Sequence, residues 1–479
     1  MTSLEKILFQ FPESKAYFLI RFFLLSVLFL IGIVHWVGFF NNGNWSLVAF
    51  DWYKESIYLD SLREALISGM IPWEWQTPNM VGTQYVLAYP VIPLTPDIIF
   101  LRWVPNSIFV IIHVTLFYLA GFLGSLVIAR QLKASLVTFV FFWLVFNFNG
   151  YLIAHLAVGH FEWTGYFLLP FFFILLAKVL RRSPSPFSQN LALVLSIALV
   201  LGVLFLNGSF HLAIWCVLFM LITLIWRTAM FANVVVAILI GSLLGLSRWL
   251  PTILYFQQDR PFIPGYASFS SLLDAFTVLY GHETRRWWEY DIYVGFVAFV
   301  ILVLCFVIAI RQKERVYEPP FYLAAGVLFL FSLGNVFAII ANNPLPIPDI
   351  ERVPSRFIVM SFLVLLITAL SGMEMLIRSR PKMSRVPLLL AFPFIAYELA
   401  DHSRTWRLAR LNRSFTEVIP PASSIGPTTD RMYTLIAYGS WAISLIVFVV
   451  VVAYLIWHLP AVQRRFNLGR SNEPVDRQQ

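Results

Sequence analysis

Two carboxylates, Asp51 and Glu55 in the string FDWYKES, directly follow an apolar run. A carboxylate held where bilayer gives way to water can take the proton of a hydroxyl nucleophile, and partial desolvation makes it a better base. Asp51 also suits a plain helix N-cap, since Asp favours that position for backbone reasons alone; the two roles are compatible. A second cluster, NFNGYLIAHLAVGHFEWTGYFLLP, carries Asn147, Asn149, His155, His160 and Glu162. The two histidines with Glu162 could bind a divalent ion, but their spacing matches no strong zinc signature, and a histidine beside aromatics at a helix end also serves as a hydrogen-bonded packing residue. Asn147, Asn149 and Gly150 fit a helix C-terminus with a left-handed cap equally well. A third cluster, GHETRRWWEYDIYVG, brings His282, Glu283, Glu289 and Asp291; its Trp287 and Trp288 are either interfacial belt aromatics or a platform for a sugar ring or prenyl chain. In the fourth, IPDIERVPSRF, Arg352 and Arg356 flank Pro354 as a helix begins, where free N–H groups add to anion affinity.

The elements that must position these groups are membrane helices. The chain has 479 residues, of which 59% are hydrophobic and 12% charged, with a mean hydropathy of +0.77, values that belong to a polytopic membrane protein and not to a soluble domain. The net charge of +9 reflects loops rich in Lys and Arg and is no argument for nucleic acid. Cys216 and Cys305 both lie inside apolar runs, so neither a disulfide framework nor a thiolate metal site is expected. Phosphate-cradling glycine loops, nucleophile elbows and HExxH are missing, which removes support for ATP-driven or soluble-hydrolase chemistry.

Spans of roughly 20 mostly apolar residues fall at about 17–40, 105–129, 134–149, 164–180, 190–207, 209–226, 232–250, 292–310, 320–341, 355–377, 385–399 and 433–458, about twelve in all. The first is long enough to span and reads as an uncleaved helix. Arg130 and Lys133, Arg181 and Arg182, Arg227, the run Arg311 to Arg315, the run Arg378 to Arg385, and Arg464 with Arg465 all fall in alternate short loops on the side of the N-terminus. The positive-inside rule then predicts cytoplasmic termini, with 41–104, 150–163, 251–291, 342–354 and 400–432 outside. The expected organisation is a cytoplasmic N-terminus (1–16), an all-α transmembrane domain (17–458) and a disordered cytoplasmic tail (459–479).

In the first outer loop, Tyr58, Leu62, Ala65 and Leu66 make one apolar stripe opposite Lys54, Asp60, Arg63 and Glu64, which predicts an amphipathic helix lying on the membrane. Gly69 and Pro72 stop it. The proline-broken stretch 84–101 reads as interfacial or re-entrant. The outer loops keep arginines against topology: Arg248, Arg260, Arg285, Arg286, Arg352, Arg356, Arg404, Arg407, Arg410 and Arg413. Each needs a partner, either an acid such as Glu351 or Asp349 or a phosphate gripped in two-pronged fashion.

A first helix, an acid opening a long outer loop, interfacial helices within that loop and some ten further spans resemble the GT-C superfamily of membrane glycosyltransferases. The strings FDWYKES…LREALISGMIPWEW, NFNGYL…GHFEW…LLP and ERVPSRF are most similar to its YfhO-like branch, over about residues 17–378. The resemblance implies a sugar donor on a polyprenyl phosphate or pyrophosphate and a general base at Asp51, with Glu55 and Glu162 as further acids. It also implies inversion by single displacement, with Arg352, Arg356 and Arg248 at the departing phosphate and His155, His160, Trp287, Trp288 and Asp291 around the substrate. No DxD pair occurs in the first loop, so no metal cofactor is expected, although a divalent ion stays open. WWEYD at Trp287 to Asp291 superficially resembles the WWDYG motif of oligosaccharyltransferases; that motif sits in a large outer domain after the last span, and about five spans follow here. The expected activity is transfer of a sugar to an envelope acceptor on the extracytoplasmic face of a bacterial or archaeal plasma membrane. A transporter or flippase of a lipid-linked saccharide is the alternative; transporters commonly carry internal repeats, and no clear repeat is seen.

Overall fold

The computed structural model describes residues 3–10, 15–45, 50–69, 73–75, 85–182, 187–256, 263–279, 287–312, 316–341, 351–408 and 425–458. Arg260, His282, Glu283, Arg285, Arg286, Asp349, Arg410, Arg413, Pro72 and the tail from 459 lie outside them. A short helix, α1 (Ser3–Phe9), and the long apolar α2 (Lys15–Phe39) open the chain and are followed by α3 (Trp52–Ser68) in the first loop. The next apolar stretches form α4 (Asn106–Gln131), α5 (Leu136–Asn147), α6 (Gly150–Ala157), α7 (Leu169–Arg181), α8 (Phe187–Leu206) and α9 (Phe210–Trp226). The second half contributes α10 (Phe231–Leu244), α11 (Leu246–Tyr255), α12 (Phe269–Thr277), α13 (Phe296–Arg311), α14 (Pro319–Ser332) and α15 (Gly334–Ala341). It closes with α16 (Ile358–Ser379), α17 (Pro381–Trp406) and α18 (Arg431–Trp457).

All twelve apolar segments carry helix, and the molecule is an all-α membrane protein. Among the described residues, seven helices are long and apolar enough to cross a membrane, or eight if α10 and α11, bent by 77° at Gly245, count as one; α9, α13 and α14 are apolar but shorter. Burial separates inner helices from outer ones. Leu136–Ala157 and Pro354–Ser379 are each 89% buried over their most apolar stretch, against 11% for α2 and 22% for α18, so the former two make the centre and the latter two present apolar flanks outward. Without a hydrophobic drive between helices in lipid, close packing relies on small residues. A Cβ on Gly202 of α8 would stand 2.5 Å from the Leu244 Cβ of α10, and one on Gly372 of α16 only 1.8 Å from the Cys305 carbonyl of α13.

The segment expected to end at 149 runs on to Ala157. Asn149 is not a left-handed cap: at φ −70° its side chain accepts from the Leu152 N–H and starts α6, while its amide donates to Val145 and Phe146 carbonyls. The outer loop expected over 150–163 therefore shrinks to a few residues before a 3-10 stretch, Phe161–Leu168, leads into α7.

The first loop is anchored at several points. β1 (Trp73–Trp75) pairs antiparallel with β2 (Ile425–Pro427), tying the loop to the segment before α18. The Leu87 N–H donates to Tyr433 Oη at 3.1 Å, Tyr85 Oη donates to Asp430 at 2.6 Å, and Arg63 donates to the Leu101 and Val104 carbonyls at 2.9 and 2.6 Å. In α3 the predicted stripe is buried at Tyr58, Leu62 and Ala65, but Glu55, Ser56 and Ser61 are buried too. The helix is therefore enclosed on more than its apolar face, with Trp75 donating to Ser61 Oγ at 2.9 Å. At the other end of α2 the basic turns meet. Arg385 pairs with Glu5 at 3.8 Å, Arg378 donates to the Lys133 carbonyl at 3.3 Å, and Arg181 donates to the Val316 carbonyl.

Candidate functional site

Asp51 is brought to the helix ends by a backbone fit. Its N–H donates to the Val158 carbonyl at 2.9 Å, and the Trp52 indole donates to the Ala157 carbonyl at 3.0 Å. Gly159 makes this approach possible: its φ is +105°, and a Cβ there would lie 2.4 Å from the Trp52 nitrogen. Asp51 stands at the N-cap position of α3 but makes no side-chain capping bond. Its carboxylate turns instead to His160, with Oδ2 2.7 Å from Nε2, and to the ammonium of Lys54.

From there a line of buried polar side chains leads inward. His160 Nδ1 lies 2.9 Å from His155 Nδ1, and His155 Nε2 lies 3.9 Å from Glu289 Oε2. Glu289 receives both prongs of Arg356, Nε at 2.7 Å and Nη2 at 2.6 Å. Arg356 Nη1 is 3.2 Å from His211 Nε2, whose other ring nitrogen is 2.7 Å from Glu351 Oε2; Trp215 donates to the same oxygen at 3.0 Å. The Arg356 guanidinium also sits 5.0 Å over the Trp163 ring. Side chains from distant parts of the sequence thus gather in one cluster, hydrogen-bonded except between His155 and Glu289.

Asp51 Oδ2 accepts from His160 Nε2–H; with that ring otherwise unprotonated, its Nδ1 accepts from His155 Nδ1–H. That leaves a lone pair on His155 Nε2, an atom buried with no hydrogen-bond partner, facing the Glu289 carboxylate. Two acceptors opposed in this way suit a cation or an added proton. The ligand atoms of His155, His160 and Glu289 all lie within 4.8 Å of one another, so this nitrogen-and-oxygen set can converge on a divalent metal once His160 gives up its bond to His155 and Glu289 loosens from Arg356.

The carboxylates outside the spans are held ionised. Burial opposes the charge of Asp51, yet the His160 hydrogen bond and charge, with Lys54, hold its carboxyl well below the usual range. For Glu289 burial is likewise outweighed, here by Arg356 first and then His155; for Glu351, by His211 and then Arg356.

The other predicted site residues divide. Glu162 is buried, with Oε2 lacking a hydrogen-bond partner among the described residues, and feels the charges of His160, Lys54 and Asp51. Its carbonyl accepts from Asn207 at 3.0 Å, and the Asn207 amide also reaches Thr164, which continues into a His113–Asp97 pair. Trp288 lies edge-on to Phe50 at 5.6 Å and to His160 at 6.3 Å, flanking the Asp51 end; Trp287 packs against Trp288 and Tyr290. Glu55 is buried within α3, and Arg352 is half-buried, its carbonyl accepting from Ile263 N–H at 3.0 Å. Asp291 belongs to a separate group with His402 at 2.9 Å and the Trp406 indole at 3.0 Å. Arg248 is fully buried and donates to the Leu87 and Tyr89 carbonyls, binding the first loop. Sequence reasoning passed over His211 and took Lys54 only as part of the polar face of the first-loop helix. The signal for His211 was an ionisable group in NGSFHLAIWC, just inside an apolar run.

Between α12, α13, α14 and α16 lies an open apolar cavity of about 280 Å3, lined by Phe276, Phe299, Phe329, Phe362 and, two residues past Arg356, Ile358 among others. No family model matches the chain, and no curated protein matches it.

Proposed function

We propose that the chain is a membrane glycosyltransferase of the GT-C type, moving a sugar from a polyprenyl-phosphate donor to an envelope acceptor, with about twelve spans, cytoplasmic termini and an extracytoplasmic site. The observation that carries this reading is the polar chain from Asp51 through His160, His155 and Glu289 to Arg356. Such a cluster inside an otherwise apolar bundle is costly, and the natural return on that cost is chemistry. The neighbouring apolar cavity, which Ile358 lines two residues after Arg356, suits a prenyl tail.

In the reaction the acceptor oxygen attacks the anomeric carbon while its proton passes to the Asp51 carboxylate. The bond from that carbon to the donor phosphate breaks, and its electron pair leaves on the phosphate oxygen. The resting ion pair keeps Asp51 in the basic form at neutral pH; a phosphate that draws Lys54 away then raises its basicity. Lys54, beside Asp51, carries a cationic role at the phosphate, whereas Arg356 reaches an anion only by giving up Glu289. A divalent cation, if bound, would be held by His155, His160 and Glu289, and the chemistry it would supply there is Lewis-acid charge stabilisation.

One specific feature favours the alternative, a flippase for a lipid-linked saccharide: the 77° break between α10 and α11 is the kind of discontinuous helix that transporters use. The test supplies radiolabelled polyprenyl-phosphate sugars to purified protein and to Asp51→Asn. Loss of the general base lowers transfer by about a hundredfold or more. Undiminished transfer removes Asp51 from the base role, and passage across liposomes with no transfer supports the flippase.

A further inference from the structure

A second cavity, of about 220 Å3, opens between α2 and α17 at their first-loop ends. Val34, His35 and Gly38 line it from α2; Ser403, Arg404 and Arg407 line it from α17 and just beyond. The polar chain at Asp51 contributes nothing to this pocket. His35 Nε2 and Ser403 Oγ lie 3.4 Å apart across it. Arg407 Nε donates to the Gly38 carbonyl at 2.6 Å, and among the described residues its guanidinium has no carboxylate within ion-pair distance. Arg404 meets Asp401 at 3.3 Å, one acid against two guanidiniums, with its side chain 61% exposed. The mouth therefore keeps net positive charge, and paired guanidiniums with a hydroxyl are the donor set for a phosphate.

What lies beneath the mouth decides the kind of phosphate. Ala400, Ser403, Arg404 and Arg407 follow the i, i+3, i+4, i+7 spacing of one helix face. The same face continues backward through Tyr397, Phe394 and Leu390, exposed by 66%, 63% and 64%. On α2 the face of Val34 continues through Ile31, Leu30 and Val27, exposed by 50%, 57% and 36%. A free phosphate would use only the mouth; a phosphate carrying acyl chains would use the mouth and both apolar walls.

We propose that this cleft binds the phosphate headgroup of an anionic membrane phospholipid, with its chains along α2 and α17. The site stands apart from the Asp51 cluster and does not rest on the transferase reading. The test adds phosphatidylglycerol, or phosphatidylcholine at the same concentration, to the full chain in neutral detergent and counts lipid adducts by native mass spectrometry. Wild type retains phosphatidylglycerol in preference, and Arg404→Gln with Arg407→Gln lowers that adduct about tenfold or more, since losing even one of the two charge-assisted contacts costs about tenfold. Val34→Trp leaves both arginines in place and fills the cleft; it lowers the adduct too, and carries the test if the double variant fails to fold. Equal retention of the two lipids, or phosphatidylglycerol adducts that survive both variants, overturns the proposal. Displacement by inorganic phosphate, together with an adduct indifferent to Val34→Trp, overturns the lipid assignment and leaves a site for the bare anion.

Discussion

At the scale of single residues, the pair Glu289–Arg356 governs what the cluster tolerates. Both side chains are at most 5% exposed, and Arg356 also faces Glu351 at 3.8 Å. Arg356→Ala strands two buried carboxylates, and losing one partner of a buried pair costs about 3–5 kcal/mol. Thermal unfolding in detergent should show a large loss for Arg356→Ala and a substantial recovery in Arg356→Met with Glu289→Gln; equal stability of wild type and Arg356→Ala would remove the pair from the structural account. The acid limb follows from the same groups. Asp51, Glu289 and Glu351 all have carboxyl groups held below their ordinary values, so their contribution is complete above the unfolded range near pH 4 and is lost as pH falls through the folded values. Unfolding midpoints should be insensitive to these groups from about pH 5 to 7 and drop only in stronger acid, and Asp51→Asn should flatten part of that drop. Asp51, His155, His160 and Arg356 were legible in the sequence because each is a polar residue at the margin of an apolar run. The bond from Glu289 to Arg356 was not, since 67 residues separate the partners and nothing local links them.

At the scale of elements, the positions of helices were more legible than their joints. Apolar runs located every long helix, whereas the continuation from α5 into α6 depends on Asn149 capping a new helix with one end of its amide while donating backward with the other. A sequence shows an asparagine there, not which way its side chain turns. The crossing of α13 and α16 is similar: Gly372 is ordinary in the sequence, yet it lies against the Cys305 carbonyl so closely that no side chain fits. Gly372→Leu should force the pair apart, an overpacking cost of about 1–3 kcal/mol or more. Gly326→Leu on α14, where a Cβ meets nothing within 4 Å, should be nearly neutral in the same thermal assay. If both variants unfold alike, the close crossing is not what holds these helices together.

At the scale of the whole molecule, sidedness is the property that connects fold to proposed chemistry. The first loop and the segment before α18 must share one side, because β1 and β2 pair and Tyr85 reaches Asp430. The turns after α4, α7 and α16 and the start of α17 gather at the opposite end of α2, where Arg378, Arg181 and Arg385 make their contacts. A basic end should stay in the cytoplasm, since moving Lys and Arg clusters across the bilayer is disfavoured. The protein is well suited to a direct check, as its two native cysteines, Cys216 and Cys305, are buried and should stay silent to thiol reagents. Thr429→Cys, exposed beside β2, should react with a membrane-impermeant maleimide on intact cells. Gln312→Cys, exposed at the end of α13, should react only after the membrane is opened. The reverse pattern would put Asp51 and its cluster on the cytoplasmic face, where a donor displayed on the outer leaflet could not reach it, and the transferase reading would fall with the orientation.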